Sequence, residues 1–146
     1  MRRRGTAIVI REDRVLLVRD QNKSKYSLPG GKANKNEPTI AAAIRELYEE
    51  CRMTAVSAQR IPECDYQGSV NQHEISILRT TDDVVLNQKE LVDYIWWDMD
   101  EDIPRYPHVD TIVSTYLKST AHSNKHPLFP AVGYRDNLVF VFDLND

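Results

Sequence analysis

GKANKNEPTIAAAIRELYEECRM, residues 31–53, is the stretch that decides how this chain is read. Its second half predicts a helix over 38–51. Pro38 suits a first helical turn, where its missing N–H is no loss. Ala41, Ala42 and Ala43 are strong helix formers. Ile40, Ile44, Leu47 and Cys51 recur at helical spacing and would form one apolar stripe. On the other side, Glu46, Glu49 and Glu50 fall within an arc of roughly 100° and are neighbours at i, i+3 and i+4. Like charges so placed destabilise a helix by a few tenths of a kcal/mol per pair. Arg45, four residues before Glu49, can offset part of that. The rest calls for open water or a cation. Taken alone, such a face is a solvated surface.

The residues before the helix change the reading. Leu28-Pro29-Gly30-Gly31 is the strongest turn signal in the chain, and Glu37 stands at the helix entrance. Hard divalent cations such as Mg²⁺ prefer carboxylate and carbonyl oxygens. Glycine backbone can approach an ion closely because no Cβ intervenes. A glycine loop beside an acidic helix face can therefore build an oxygen-lined metal site, able to hold phosphates that the carboxylates alone would repel.

Outward from this stretch the chain alternates strands and helices. Residues 6–10 and 15–18 are apolar and β-branched and read as a hairpin around Arg11-Glu12-Asp13-Arg14. Asp20 to Lys25 reads as a loop. Thr54 to Thr80 is strand-like, broken at Pro62 and at Gln67-Gly68-Ser69. His73 to Leu78 and Asp93 to Asp98 are further strands. Val109 to Leu117 carries a second helical pattern through Ile112, Val113, Tyr116 and Leu117. Residues 121–137 read as loop, and Leu138 to Phe142 as a final strand. Strands interleaved with two helices predict an α/β fold, a mixed sheet covered on both faces.

The bulk figures exclude several classes. The chain has 146 residues, enough for one domain that buries roughly two-thirds of its unfolded surface. Residues 1–146 are read as that single domain, with an atypical segment from about 121. Net charge is -3 and the pI about 5.8, which offers nothing to a nucleic acid or a membrane surface. Cys51 and Cys64 form no CxxC pattern, so neither a zinc site nor a disulfide framework is expected, and a reduced, cytoplasmic setting follows. Met1-Arg2-Arg3-Arg4 precedes an apolar run too short for a signal peptide or a span. The arginines are read as a solvated terminus, with an anion-binding arm as the lesser option.

Residues 31–53 resemble the Nudix hydrolase signature, G-x5-E-x7-R-E-U-x-E-E-x-G-U with U a bulky aliphatic. Gly31, Glu37, Arg45, Glu46, Leu47, Glu49, Glu50 and Met53 all fall at its spacing, and Arg52 stands where the family has glycine. The resemblance implies a Nudix-type α/β/α sandwich and hydrolysis of a diphosphate bond in a nucleoside diphosphate linked to another group. Nucleoside triphosphates, ADP-ribose, nucleotide sugars and dinucleoside polyphosphates all stay open. It implies Mg²⁺ or Mn²⁺ held by Glu46, Glu49 and Glu50 with the carbonyl of Gly31. Glu46 and Glu50 are implied in catalysis, Glu46 being the first candidate for the base. Arg45 would orient the glutamates, and Gly30 and Glu37 would support the loop. Some family members use a carboxylate from a later loop, and Glu90, shortly before Trp96-Trp97, is the candidate here; Glu63 and Glu74 are weaker ones. A left-handed Arg52 would be strained by on the order of 1–2 kcal/mol. Asn36 replaces a frequent glycine and suits the same conformation.

Two other functions are compatible with the resemblance: a non-catalytic sensor of a nucleotide derivative, which usually has lost signature carboxylates, and RNA 5′-end processing, against which the acidic pI counts. A small nucleotide is the expected partner, with a homodimer possible. Trp96 and Trp97 point to opposite faces of a strand and are read as core, as strand packing is read for Tyr26 and Tyr66. His122 and His126 are read as surface loop, and Lys23 and Lys25 as a solvated loop that could meet phosphate.

Overall fold

A computed structural model describes residues 1–122, 131–135 and 138–142. Ten strands are present among them: β1 (Arg2–Ile8), β2 (Ile10–Arg11), β3 (Arg14–Asp20), β4 (Gly30–Lys32), β5 (Ser57–Arg60), β6 (Tyr66–Gln67), β7 (Asn71–Arg79), β8 (Leu91–Trp97), β9 (Ala131–Arg135) and β10 (Leu138–Phe142). Two α-helices join them, α1 (Thr39–Cys51) and α2 (Pro107–His122). A mixed sheet runs β4-β1-β7-β5, with β6 also on β7, and only β1 and β7 are parallel within it. An antiparallel sheet runs β2-β3-β8.

The hairpin expectation needs correction. The run 6–10 does not pair as one strand with 15–18. The backbone bends at Val9, whose carbonyl accepts the Leu16 N–H at 2.9 Å. Before the bend the run is β1, in the mixed sheet; after it, Ile10 faces Val15 in the second sheet. One apolar run thus serves both sheets, which period-2 patterning cannot reveal. The turn itself holds Glu12 and Asp13 at φ 51 and 61, the primed-turn geometry that tight hairpins favour.

Alternation along these strands builds two cores. Ala7, Val9, Leu16, Val18 and Leu78 face Ala43, Ile44, Leu47 and Cys51 of α1. Ile8, Val15, Leu17 and Ile75 face Val109, Ile112 and Val113 of α2. The sheets therefore lie between the helices, as an α/β/α sandwich. The stripe expected on α1 is buried at Ile44, Leu47 and Cys51, with Ile40 packed at its edge. On α2, Leu117 is exposed. Gly5 lets α1 sit close on β1: a Cβ there would meet the Thr39 carbonyl, the Ala43 nitrogen at 2.7 Å and the Ala42 Cβ at 2.9 Å.

Trp97 belongs to the α2-side core, and Trp96 packs at the edge of the α1-side core under the Arg11 guanidinium. Tyr26 and Tyr66 pack against the α2-side core. Cys51 and Cys64 are buried free thiols. Two further expectations change. Pro38 stands just before α1 rather than inside it, its carbonyl accepting the Ala42 N–H at 3.1 Å. The segment read as loop from 121 contains the end of α2 and the strand β9, because Val132 and Tyr134 pair antiparallel with Val141 and Val139 of β10. His122 ends α2; His126 lies outside the described residues. No helix among them is long and apolar enough to cross a membrane.

Candidate active site

The site forms where α1, β4 and the loop before β8 meet. Gly30 adopts φ 150 because its Cα passes against the backbone of Gly5 and Thr6. This close pass turns the Gly30 N–H onto Glu50 Oε1 at 3.2 Å. The next residue, Gly31, lies against Glu46; a Cβ there would meet the Glu46 Cδ, and its Oε1 at 2.6 Å. Both glycines are thus required by close approach, Gly30 to the β1 backbone and Gly31 to the acidic helix face.

Arg45 fixes that face. Its Nε and Nη2 donate to the two oxygens of Glu37, both at 3.0 Å. Its Nη1 donates to Glu46 at 2.9 Å and to Glu49 at 3.2 Å, and Nη2 also reaches the Lys32 carbonyl at 3.2 Å. Glu37 in turn accepts the Asn34 N–H at 2.9 Å. The guanidinium holds the Glu37 carboxyl below its ordinary range, and the same bonds raise Arg45 further. Asn36, at φ 65, turns the chain into this loop.

Glu90 arrives from the loop before β8. The last carbonyls of a helix lack intrahelical donors, and here the loop supplies them: Val85 N–H bonds the Cys51 carbonyl at 2.9 Å and Asn87 N–H the Glu50 carbonyl at 2.8 Å. Asn87 then accepts the Glu90 and Leu91 N–H groups at 3.0 and 2.9 Å, and the Glu90 carbonyl accepts the Gln21 N–H at 2.9 Å. Arg52 closes the helix in the left-handed region, φ 56, donating to the Tyr48 carbonyl at 2.8 Å. Its guanidinium lies 5.5 Å over the Tyr48 ring, a contact that offsets part of the backbone strain.

The result is a cluster in which oxygens of Glu46, Glu50 and Glu90 lie within 4.8 Å of one another. Glu50 is 5% exposed, and burial pushes its carboxyl up to about 8, against the pull of Arg4. Burial also raises Glu46, against Arg45. Glu49 shares the helix face but turns to Arg45, outside the cluster. Of the weaker candidates, Glu74 pairs with Arg3 and accepts the Thr39 hydroxyl, and Glu63 is exposed on the 3-10 turn at Pro62–Cys64. Lys23 and Lys25 are exposed, Lys25 lying 5.8 Å from the Tyr106 ring.

The donor set fits a hard divalent cation. All donors are oxygens, three carboxylates share one small space, and Glu50 receives one N–H from the described residues. Such a like-charge group is relieved by a cation. Sequence reasoning did not separate Arg4 from the arginines beside it. The basic terminus is solvated at Arg2 and Arg3, but Arg4 is drawn into the structure. The alternation of β1 could have signalled this, since Arg4 precedes buried Thr6 and Ile8 on one face.

The NUDIX domain model matches residues 1–117. A nudix hydrolase family member from Chromobacterium violaceum superposes with a TM-score of 0.72 at 26% identity, covering 85% of this chain and 82% of its own. An Ap4A hydrolase of C. elegans superposes at 0.67 with 19% identity, covering 84% and 100%. An ADP-ribose pyrophosphatase from Streptococcus suis does so at 0.66 with 17% identity, covering 86% and 96%. The last two likenesses speak for the fold alone. No curated protein matches the chain. An α/β/α sandwich presenting a carboxylate cluster beside a glycine turn agrees with the family that the domain model and the Chromobacterium violaceum protein indicate. The chain belongs to the Nudix family of hydrolases.

Proposed function

We propose that this protein hydrolyses a diphosphate bond in a nucleoside diphosphate linked to another group, with Mg²⁺ or Mn²⁺ bound at Glu46, Glu50 and Glu90. The observation that carries the reading is the convergence of these three carboxylates within 4.8 Å from two distant segments. The Gly31 carbonyl and Glu49 are the further candidate ligands. A bound cation would neutralise phosphoryl charge and make a water more acidic.

The chain's own groups then divide the work. One Glu46 oxygen accepts from Arg45; the other has no donor among the described residues and serves either as a metal ligand or, where Glu50 and Glu90 hold the cation, as the proton acceptor. Burial raises Glu46 toward the pH at which it works, as suits a general base. Glu50 is oriented by the Gly30 N–H, and Arg45 with Glu37 holds the helix face in register with the glycine turn. Glu90, exposed at the mouth, completes the cluster from the substrate side. The buried free thiols suit a reducing, cytoplasmic compartment.

The deciding experiment is a product-release screen with Mg²⁺ and Mn²⁺ over nucleoside triphosphates, oxidised triphosphates, ADP-ribose, nucleotide sugars and dinucleoside polyphosphates, with Glu50→Gln alongside. Turnover of one group, abolished in the folded variant, supports the reading and names the substrate class. Full activity in Glu50→Gln would remove the site assignment.

A further inference from the structure

Arg4 has no part in the chemistry proposed above, and packing does not explain it. Its guanidinium carries five N–H donors. Nη1 donates to the Thr6 hydroxyl oxygen at 2.8 Å and lies 3.4 Å from His73 Nδ1; Nη2 donates to the Leu28 carbonyl at 2.9 Å. All three acceptors are neutral. Glu50, Asp20 and Glu46 act on Arg4 through space, yet among the described residues Arg4 forms no ion pair. Two N–H groups, Nε and one on Nη2, have no acceptor among them. Burying a cation without a paired anion is costly, so this arrangement calls for an explanation.

The surroundings are built to keep the guanidinium in place. Arginine only donates, so His73 Nδ1 must offer a lone pair. The Thr6 oxygen accepts from Arg4 and its O–H donates to the same Nδ1, at 2.9 Å. His73 is therefore a neutral ring with its proton on Nε2. His108 stacks on His73, with ring centroids 4.3 Å apart. Its Nε2 is buried and bonds to no described residue. The guanidinium and this ring nitrogen are two independent polar groups, on different elements, whose bonding capacity the fold leaves unused.

We propose that Arg4 binds a phosphate oxygen of the substrate, on the α2 side of the carboxylate cluster, with Thr6, His73 and the Leu28 carbonyl holding its planar fork toward that anion. A guanidinium with two spare donors matches a phosphate bidentately, which a lysine cannot do. Only the identity of the anion, a nucleoside diphosphate, rests on the hydrolase reading. The placement rests on Arg4 itself.

The test is calorimetric binding of α,β-methylene-ADP, whose bridge resists cleavage, in Mg²⁺. With Mg²⁺ held saturating for each protein, folded Arg4→Gln should weaken Kd roughly 10–100-fold, and Arg4→Lys should recover part of it. A Kd for folded Arg4→Gln that equals the wild-type value overturns the proposal. A second measurement needs no variant: the Arg4 Nε–H resonance of the wild-type protein should shift and exchange more slowly as the analogue is added, and an unmoved resonance overturns the proposal whatever the variants do. The two readings separate cleanly. Arg4-dependent binding without hydrolysis of any panel member keeps the anion subsite and removes the hydrolase. Turnover with KM and Kd unmoved by Arg4→Gln removes the subsite alone.

Discussion

Replacing Arg45 by Met keeps most of the side-chain volume and removes the charge. Arg45 is 18% exposed, Glu37 16% and Glu46 17%. The substitution strips two bonds from Glu37, one from Glu46 and one from Glu49. Hydrogen bonds to charged groups contribute about 1.5–3 kcal/mol each but are not additive, and removing one partner of a fully buried pair costs about 3–5 kcal/mol. Glu49, at 42% exposure, adds little. A loss of about 2–4 kcal/mol follows, which for a chain of this length lowers Tm by roughly 5–12 °C. The dependence on pH has a definite sign. Arg45 lowers the folded-state pKa of Glu37, so this stabilisation is present above the carboxylate's unfolded value and is lost as pH falls through the folded one. The gap between wild type and variant should be widest near neutrality and narrow as pH falls below the unfolded carboxylate value of about 4.3. Thermal unfolding from pH 7.5 to 3.5 measures it. A gap under about 2 °C at neutrality, or one that widens in acid, would refute the assignment of Arg45 as the group that holds this face together.

Other perturbations reach other parts of the site. Gly31→Ala must displace Glu46, since its Cβ would meet that carboxylate; turnover should fall about 100-fold, as for an ångström-scale misplacement, with Mn²⁺ binding weakened in an electron paramagnetic resonance titration. Glu90→Gln should lower kcat while leaving Tm unchanged, because the side chain is exposed; an unaltered kcat at saturating metal and substrate would take Glu90 out of the cluster's chemistry. Burial lowers His73 to about 4 and, with the neighbouring Arg4 charge, His108 to about 3. Both stay neutral in the fold but charge near 6.5 when unfolded, so their contribution is full above that value and is lost as pH falls below it. Relative to His108→Phe, which keeps a stacked ring, wild type should lose about 1–3 kcal/mol between pH 6.5 and 4.5 in urea unfolding; a constant difference would show that His108 does not titrate this way.

Much of the site was legible because it is local. Glu37, Arg45, Glu46, Glu49 and Glu50 lie within one short segment, where helical spacing dictates which side chains meet. The role of Glu90 could only be guessed, since its approach depends on loop amides bonding the end of α1. Glu49 illustrates the limit of spacing: it sits on the expected face, but its carboxylate goes to Arg45. The bend at Val9 was hidden because both halves of the run are equally apolar. Arg4 was hidden for a different reason. A charged residue near a chain start reads as solvated unless the alternation of its strand is followed inward, and the neighbours brought in by β7 and by the Leu28 turn show where it lies. The left-handed Arg52 could be anticipated from the glycine it replaces, but the Tyr48 ring beneath it could not.

The bonds from Val85 and Asn87 to the end of α1 have a consequence for how this scaffold can diverge. They rivet the stretch 85–90 to the helix, so the two suppliers of carboxylate travel as one cassette. Thr80 and Asp82 are anchored separately, to Arg11 and to the Thr54 N–H, so the bonds at Val85 and Asn87 are what set the spacing of Glu50 and Glu90. A single residue added between Asn87 and Glu90 would pull them out of phase. What a lineage must inherit to keep the cluster is thereby a backbone register between a helix end and a loop, more than any side-chain contact.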